Sequence, residues 1–108
     1  MENLVIEIGI MQIHDCAHML KCYEAFNYKG AVFMILDHMN GCITDLLESD
    51  SKYSENVCKY ILFETLKGLN FLHERHIVHR DIKSDNILFD KNARIMLADF
   101  GCAAQLTK

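Results

Sequence analysis

The chain has 108 residues, of which 51% are hydrophobic and 24% are charged, a composition typical of one small folded domain and not of a disordered chain. Its net charge of −4 argues against nucleic acid or an anionic membrane as the main partner, and no apolar run approaches the ~20 residues that a membrane span requires. The five cysteines show no C-x-x-C spacing and the N-terminus has no signal-peptide pattern, so we expect reduced thiols and a cytoplasmic protein.

The N-terminal third predicts a helix followed by a β-hairpin. Residues 2 to 13 carry apolar side chains at helical spacing, beginning with Leu4. The runs "LKCYEAF" (20 to 26) and "AVFMIL" (31 to 36) are rich in strand-forming residues, and the turn "NYKG" separates them. This order predicts an antiparallel pair of strands.

The middle of the chain predicts a connector and two helices. Residues 37 to 41, "DHMNG", are polar and contain a glycine, and "CITDLLE" (42 to 48) suits a short helix. A long helix should follow a cap at Ser51 or Ser54 and turn one wide apolar stripe toward the core. The residues of that stripe are Val57, Cys58, Ile61, Leu62, Leu66, Leu69 and Leu72.

A polar loop in the C-terminal half lies between two apolar segments. Asp81 and Asn86 belong to it, and the runs "NILF" (86 to 89) and "IMLA" (95 to 98) predict a hairpin. The first strand of an antiparallel pair begins beside the end of the second, so this hairpin should bring Asn86 and Asp99 to the same end. Carboxylate and amide oxygens suit Mg²⁺, which binds few protein ligands. The residues alone also allow a second interpretation, in which all three are ordinary turn residues.

Two motifs in this region resemble those of eukaryotic protein kinases. The run "HRDIKSDN" (79 to 86) is similar to the catalytic loop H-R-D-L-x-x-x-N, with Ile82 in place of leucine, and "DFG" (99 to 101) is similar to the metal-binding loop. The resemblance extends from the helix at residue 2 to residue 108 and is greatest to serine/threonine kinases of the PAK and germinal-centre groups. It implies an α+β, partial protein-kinase-like fold: helix C and two strands of the N-lobe, the hinge, and the start of the helical C-lobe with the catalytic-loop hairpin.

The resemblance also implies catalytic roles for individual residues. Asp81 would be the catalytic base for the substrate hydroxyl, and Lys83 would offset the charge of the transferred phosphoryl group. Asn86 and Asp99 would hold Mg²⁺. Arg80 would bind a regulatory phosphate, since its guanidinium suits bidentate phosphate recognition. ATP and a protein substrate are the implied ligands.

A nucleotide site is implied in the same way. Glu7 would pair with the phosphate-binding lysine of the family, and Leu36 would stand at the gatekeeper position before the hinge. The backbone of the hinge would contact adenine, although one glycine follows it here where the family usually has two. The residues assigned to this site are Glu7, Leu36, Asp37, His38, Met39 and Leu88.

The implied division of the chain is an N-lobe remnant (1 to 36), a hinge (37 to 41) and the start of the C-lobe (42 to 108). The 108 residues contain no G-x-G-x-x-G and no V-A-I-K-like strand, and they end before an activation segment. We therefore expect the chain alone to be inactive, marginally stable and able to self-associate through exposed apolar surface.

Two other classes of function remain open. The chain could be a non-catalytic, kinase-derived fragment that acts as an interaction or regulatory piece, or a degenerate remnant. It could also be a metal-dependent phosphatase or nuclease that uses the same carboxylates, although such an enzyme needs neither a hinge nor "DFG". A zinc site is disfavoured because "HERHI" lacks the second histidine of H-E-x-x-H.

Overall fold

The computed structural model describes residues 2–49 and 54–106, with side chains from residue 4 onward. Helices and short antiparallel strands are mixed along the chain. In chain order the elements are α1 (Glu2–Ile13), β1 (Cys22–Tyr28), β2 (Ala31–Leu36), β3 (Gly41–Cys42), α2 (Ile43–Glu48), α3 (Glu55–Glu74), β4 (Ile77–Val78), a 3₁₀ turn (Ser84–Asn86), β5 (Ile87–Phe89), β6 (Ile95–Leu97) and β7 (Ala104–Gln105).

The predicted N-terminal helix and hairpin are confirmed. Helix α1 has the predicted bounds, and β1 pairs antiparallel with β2, with Phe26 opposite Phe33. Strand β1 runs to Tyr28, so the turn is tighter than predicted and consists of Lys29 and Gly30, both with positive φ. Glycine suits this position because it has no Cβ to oppose a left-handed backbone.

The hairpin of β5 and β6 is also confirmed, and it places Ile87 opposite Leu97. The sequence did not predict that β3 adds to its outer edge, with Gly41 opposite Phe89. A Cβ on Gly41 would lie 2.8 Å from a carboxylate oxygen of Asp45 and 3.3 Å from the Phe89 ring. Glycine is therefore what allows the connector to approach β5 so closely.

The core lies between β6, the end of α1 and the C-terminal half of α3. Leu97 at its centre accepts a hydrogen bond from Leu20 N (2.9 Å) and donates one to His18 O (2.8 Å). Gly68 of α3 packs here, since a Cβ on it would lie 3.0 Å from Leu97 Cδ1. The buried core residues are Ile10, Met11, Met19, Leu20, Cys22, Leu72, Ile77, Met96, Leu97, Ala98, Phe100 and Ala103.

The long helix forms as predicted, but its stripe is only partly buried. Ser54 caps it, since its Oγ accepts from Val57 N at 3.2 Å, whereas the alternative cap, Ser51, lies outside the described residues. Leu72 is fully buried, while Leu62 and Leu66 are 63% and 60% exposed. The stripe is therefore part of the core at Leu72 but uncovered at Leu62 and Leu66, and these two side chains belong to the exposed apolar surface that we expect for this chain. No helix in the described part of the chain is long and apolar enough to cross a membrane.

Candidate active site

A buried histidine links the polar loop to the strand that precedes "DFG". His79 is 1% exposed, and its Nε2 lies 2.8 Å from Ala98 O while its Nδ1 accepts from Asp81 N at 3.1 Å. This pairing requires the neutral tautomer with the proton on Nε2. The imidazole also lies 5.1 Å from the Phe100 ring, centroid to centroid, so these two side chains pack against each other and join the polar loop to "DFG".

Within the loop, Asn86 holds Asp81. Its amide Nδ2 donates to the backbone oxygen of Asp81 at 2.9 Å and to the carboxylate Oδ2 at 3.2 Å. Lys83 Nζ lies 3.8 Å from the same Oδ2. Because the amide nitrogen of the buried Asn86 is committed to Asp81, its Oδ1 is the atom suited to a cation.

Asp99 is brought to the same end of the hairpin. Ala98 N donates to Asn86 O at 2.9 Å, so Asp99 follows directly after the residue that is bonded to Asn86. Its backbone has φ +56°, a left-handed conformation that is uncommon outside glycine and that Asp tolerates better than most residues. The carboxylate is in an exposed residue, and its Oδ1 accepts from Gly101 N at 3.3 Å.

Glu7 approaches this loop from α1. A Cβ on Gly101 would lie 3.2 Å from Asp99 Oδ1 and 3.4 Å from Glu7 Oε2, so the two carboxylates flank the glycine. Burial raises the pKa of Glu7, and the negative charge of Asp99 raises it further. Two carboxylates that disfavour each other's ionisation make a cation favourable between them.

The donor atoms near the hairpin end fit Mg²⁺ better than a softer metal. They are carboxylate and amide oxygens, and few are supplied by protein, as magnesium bound with phosphate requires. Within residues 2–49 and 54–106, no three His, Cys, Asp or Glu side chains are grouped so that they could hold a metal ion.

The residues assigned to the hinge lie between β2 and β3. The Asp37 carboxylate accepts hydrogen bonds from the Tyr23 hydroxyl at 2.5 Å and from Lys21 N at 3.4 Å. The hydrogen bond from the Tyr23 hydroxyl to Asp37 raises the pKa of Tyr23. His38 is exposed and Met39 packs against the core.

At the edges of this segment, Leu36 ends β2 with 39% exposure, and Leu88 of β5 also packs against the core. Asn40 N donates to Phe89 O at 2.8 Å, which joins this segment to β5.

Arg80 also has a left-handed backbone, with φ +69°. Its Nε donates to the carbonyl oxygen of Cys102 at 2.6 Å, which links the polar loop to the segment after "DFG". This bond uses one of the five N–H donors of the guanidinium, and the side chain is exposed.

Comparison with known proteins decides the family, because the protein kinase domain family matches residues 1–108. The chain belongs to the protein kinase family. It is 42% identical over 113 residues to the serine/threonine-protein kinase pakB of Dictyostelium discoideum and 46% identical over 109 residues to the serine/threonine-protein kinase CLA4 of Candida albicans. These alignments cover 100% and 98% of this kinase chain but only 13% and 11% of the relatives. The resemblance to PAK-type kinases is therefore confirmed.

The fold of this kinase chain has a counterpart among solved structures. A chain of the yeast RNA Pol II CTD kinase CTDK-1 complex superposes with a TM-score of 0.90 at 27% identity, covering 100% of this chain and 36% of that one. The predicted α+β, partial kinase fold is confirmed.

One contact near the catalytic loop was missed by sequence reasoning. Thr44, at the start of α2, bonds with Ser84 and Asp85, about forty residues further along the chain. No local pattern reveals such a pair, because threonine early in a short helix is ordinary and only the β3–β5 pairing brings the two segments together.

Proposed function

We propose that this chain is the catalytic-loop segment of a serine/threonine protein kinase that transfers the γ-phosphoryl group of ATP to a protein hydroxyl. The observation that carries the proposal is the amide of Asn86, which holds Asp81 through two hydrogen bonds while its backbone oxygen is bonded to the residue before Asp99. Turn residues without a common task have no need of such a connection.

In this proposal Asp81 orients the substrate hydroxyl and accepts its proton, while Lys83 offsets the negative charge that develops on the phosphoryl oxygens. Asn86 and Asp99 hold Mg²⁺, which when bound neutralises phosphate charge. Most of the rate enhancement then comes from positioning and electrostatics, since the loose transition state requires little covalent help. The tautomer of His79 supports this arrangement by holding the Asp81 backbone in place.

We assign the nucleotide to the side of the hairpin that faces α1 and the connector. The backbone of Asp37, His38 and Met39 would contact adenine, with Leu36 and Leu88 beside it. Glu7 would bind the lysine that the family places on a preceding strand, and the raised pKa of Glu7 supports a role that needs a cationic partner. Arg80 would bind a phosphate on an activation segment.

The corresponding division is an N-lobe part (1 to 36), a hinge (37 to 41) and a C-lobe part (42 to 108). We also propose a cytoplasmic location, which five free cysteines support. The 108 residues by themselves should not transfer phosphate, because neither a G-x-G-x-x-G loop nor a V-A-I-K lysine is among them. The chain spans only 13% and 11% of the two curated relatives described above, so whole-kinase activity belongs to a longer polypeptide in this proposal.

The test compares Asp81→Asn with the parent sequence in the full gene product, measured as phosphate transfer from Mg-ATP to a basic protein substrate. We expect a loss of about 10²–10⁴-fold, typical of the removal of a general base. The control, Asp15→Asn, makes the same change on an exposed side chain between α1 and β1 and should leave the rate unchanged. Equal rates for Asp81→Asn and the parent would refute the role of Asp81, and absence of transfer by the parent would refute the kinase function.

A further inference from the structure

We propose that Thr44 is a positioning residue for the catalytic loop. Its hydroxyl clamps the 3₁₀ turn Ser84–Asn86 from the side of α2, and through that turn it fixes Asn86 against Asp81. This inference rests on the proposed kinase function for its effect on rate, but its effect on the loop can be measured separately.

The clamp is a chain of two hydrogen bonds. Thr44 Oγ1 lies 2.6 Å from Ser84 Oγ and donates to Asp85 Oδ1. A threonine hydroxyl has one proton, and this proton goes to the carboxylate, so the Ser84 hydroxyl must be the donor in the first bond. Hydrogen bonds to an ionised acceptor are roughly twice as strong as neutral ones, and Thr44 therefore holds both residues that precede Asn86.

The base of the clamp is fixed by packing. Ile43, next to Thr44, is buried with 7% exposure, and the start of α2 is closed by the bond from Cys42 N to Asp45 Oδ2 at 3.0 Å. Strand β3 pairs with β5, with Cys42 opposite Leu88. Because β5 begins directly after the 3₁₀ turn, the helix start and the turn are held at a constant separation.

The turn transmits this constraint to the catalytic loop. Its backbone closes with the bond from Asn86 N to Lys83 O at 2.9 Å. The side chains of Ser84 and Asp85 bind Thr44, whereas that of Asn86 binds Asp81 at 2.9 and 3.2 Å. The turn is thus held by Thr44 on one side and by Asp81 on the other. If the bonds to Thr44 are lost, the turn can move, and Asn86 and Asp81 are then displaced with it.

The experiment uses Thr44→Val in the full gene product. Valine keeps the shape of threonine and removes the hydroxyl. We expect kcat to fall about tenfold, because small errors in the position of reacting groups are costly, while KM for ATP changes by less than about twofold. Hydrogen exchange of the peptide over residues 82 to 88 should accelerate, and that of α3 should not. Thr44→Ser, which restores the hydroxyl, should restore both kcat and exchange.

The matched control is Thr65→Val. Thr65 is buried in α3, and its hydroxyl donates to Ile61 O at 2.7 Å within the same helix, so the same substitution removes a hydrogen bond away from the loop. A second variant, Asp85→Asn, weakens the charged bond without changing shape and should slow kcat by about threefold. It decides the matter if Thr44→Val does not fold.

The outcomes separate this inference from the kinase function. If the parent transfers no phosphate, the function fails, and exchange over residues 82 to 88 alone decides the clamp. Unchanged exchange and rate in Thr44→Val would overturn the clamp. Equal losses in Thr44→Val and Thr65→Val would also overturn it, since general destabilisation would then explain both. Failure of Thr44→Ser to restore the loop would show that the hydroxyl is not the cause.

Discussion

The two hairpins of this chain differ in how much of their surface the chain itself covers. All three residues of β6 are buried, with Met96 at 3% and Leu97 at 1% exposure. In the β1–β2 hairpin the stacked rings of Phe26 and Phe33 are 44% and 46% exposed. The β5–β6 hairpin has α3 beside β6 and the strand β3 at the edge of β5, whereas the β1–β2 hairpin has α1 beside β1 and a β2 that is mostly exposed.

This difference distinguishes the β5–β6 hairpin, which packing within the chain buries and stabilises, from the β1–β2 hairpin, whose apolar surface is left largely exposed. The β5–β6 hairpin carries Asn86 and leads to Asp99, so the candidate active site rests on the buried part of the chain. A lone two-stranded hairpin is at best marginally stable in water. Helix α3 shows the same contrast along its length, with Leu72 buried and Leu66 exposed.

The largest expected effect on stability comes from shortening a buried side chain of α3. Leu72→Ala should destabilise the fold by about 2–5 kcal/mol, because the transfer free energy of the side chain is lost and a cavity remains. Leu66→Ala makes the same change on the same helix at an exposed position and should cost less than about 0.5 kcal/mol. Urea unfolding of the 108-residue chain, followed by circular dichroism, measures both. Similar losses for the two variants would show that the side chain of Leu66 is covered in solution.

Local pattern was enough to predict the elements whose signal lies within a few residues. Helix α1 and strand β2 have the predicted bounds, and the β5–β6 hairpin followed from two apolar runs around a polar turn. The geometry of the candidate site could be anticipated in part for the same reason, since hairpin topology alone brings Asn86 and Asp99 to one end.

Features that depend on distant partners were not predictable. Strand β3 and the pair of β4 with β7 are each two residues long and exist only because another segment lies beside them. The left-handed backbones of Arg80 and Asp99 carry no local signal such as glycine. Exposed apolar surface was expected, but the individual exposed positions of α3 were not predictable, because periodicity identifies an apolar face and not what covers each residue.

A smaller effect is expected at the turn of the β5–β6 hairpin. The carboxylate of Asp90 accepts from the backbone N–H groups of Asn92 and Arg94, both at 2.9 Å, and from Arg94 Nε at 2.6 Å. The backbone hydrogen bond from Arg94 lowers the pKa of Asp90 most, and the Arg94 side chain and Asn92 lower it further, against the opposing effect of burial. The ionised form therefore stabilises the folded state above the unfolded pKa of about 3.9, and this contribution is lost as the pH falls through the lower, folded pKa.

Asp90→Asn should accordingly lower the Tm at pH 7 by roughly 5 °C. The difference from the parent should shrink as the pH falls below about 4. Thermal melts between pH 3 and pH 7, followed by circular dichroism, provide the comparison, with Asp15→Asn as the control. A Tm difference that is independent of pH would mean that the shape of the turn, and not the charge of Asp90, is what matters.

The smallest effect on stability, and the most direct test of the uncovered surface, is expected from Leu62→Glu. Leu62 lies in an apolar cleft of about 230 Å³ between α2 and α3 and is 63% exposed, so the free energy of unfolding should change by less than about 0.5 kcal/mol. Exposed apolar patches drive association. We therefore expect the parent chain to sediment as larger species when its concentration is raised. In the Leu62→Glu variant, this self-association should begin only at a higher concentration.

The control for Leu62→Glu is Asn56→Glu, which adds the same charge to the same helix at an exposed polar residue. It should leave sedimentation unchanged, since an apolar contact and not net charge is the proposed cause. Equal relief by both variants would point to charge repulsion, and a parent that stays monomeric at every concentration would show that the uncovered cleft does not bind a second copy. In that case the exposed apolar residues of α3 would differ from its buried residues only in solvent exposure, and this exposure would not cause self-association.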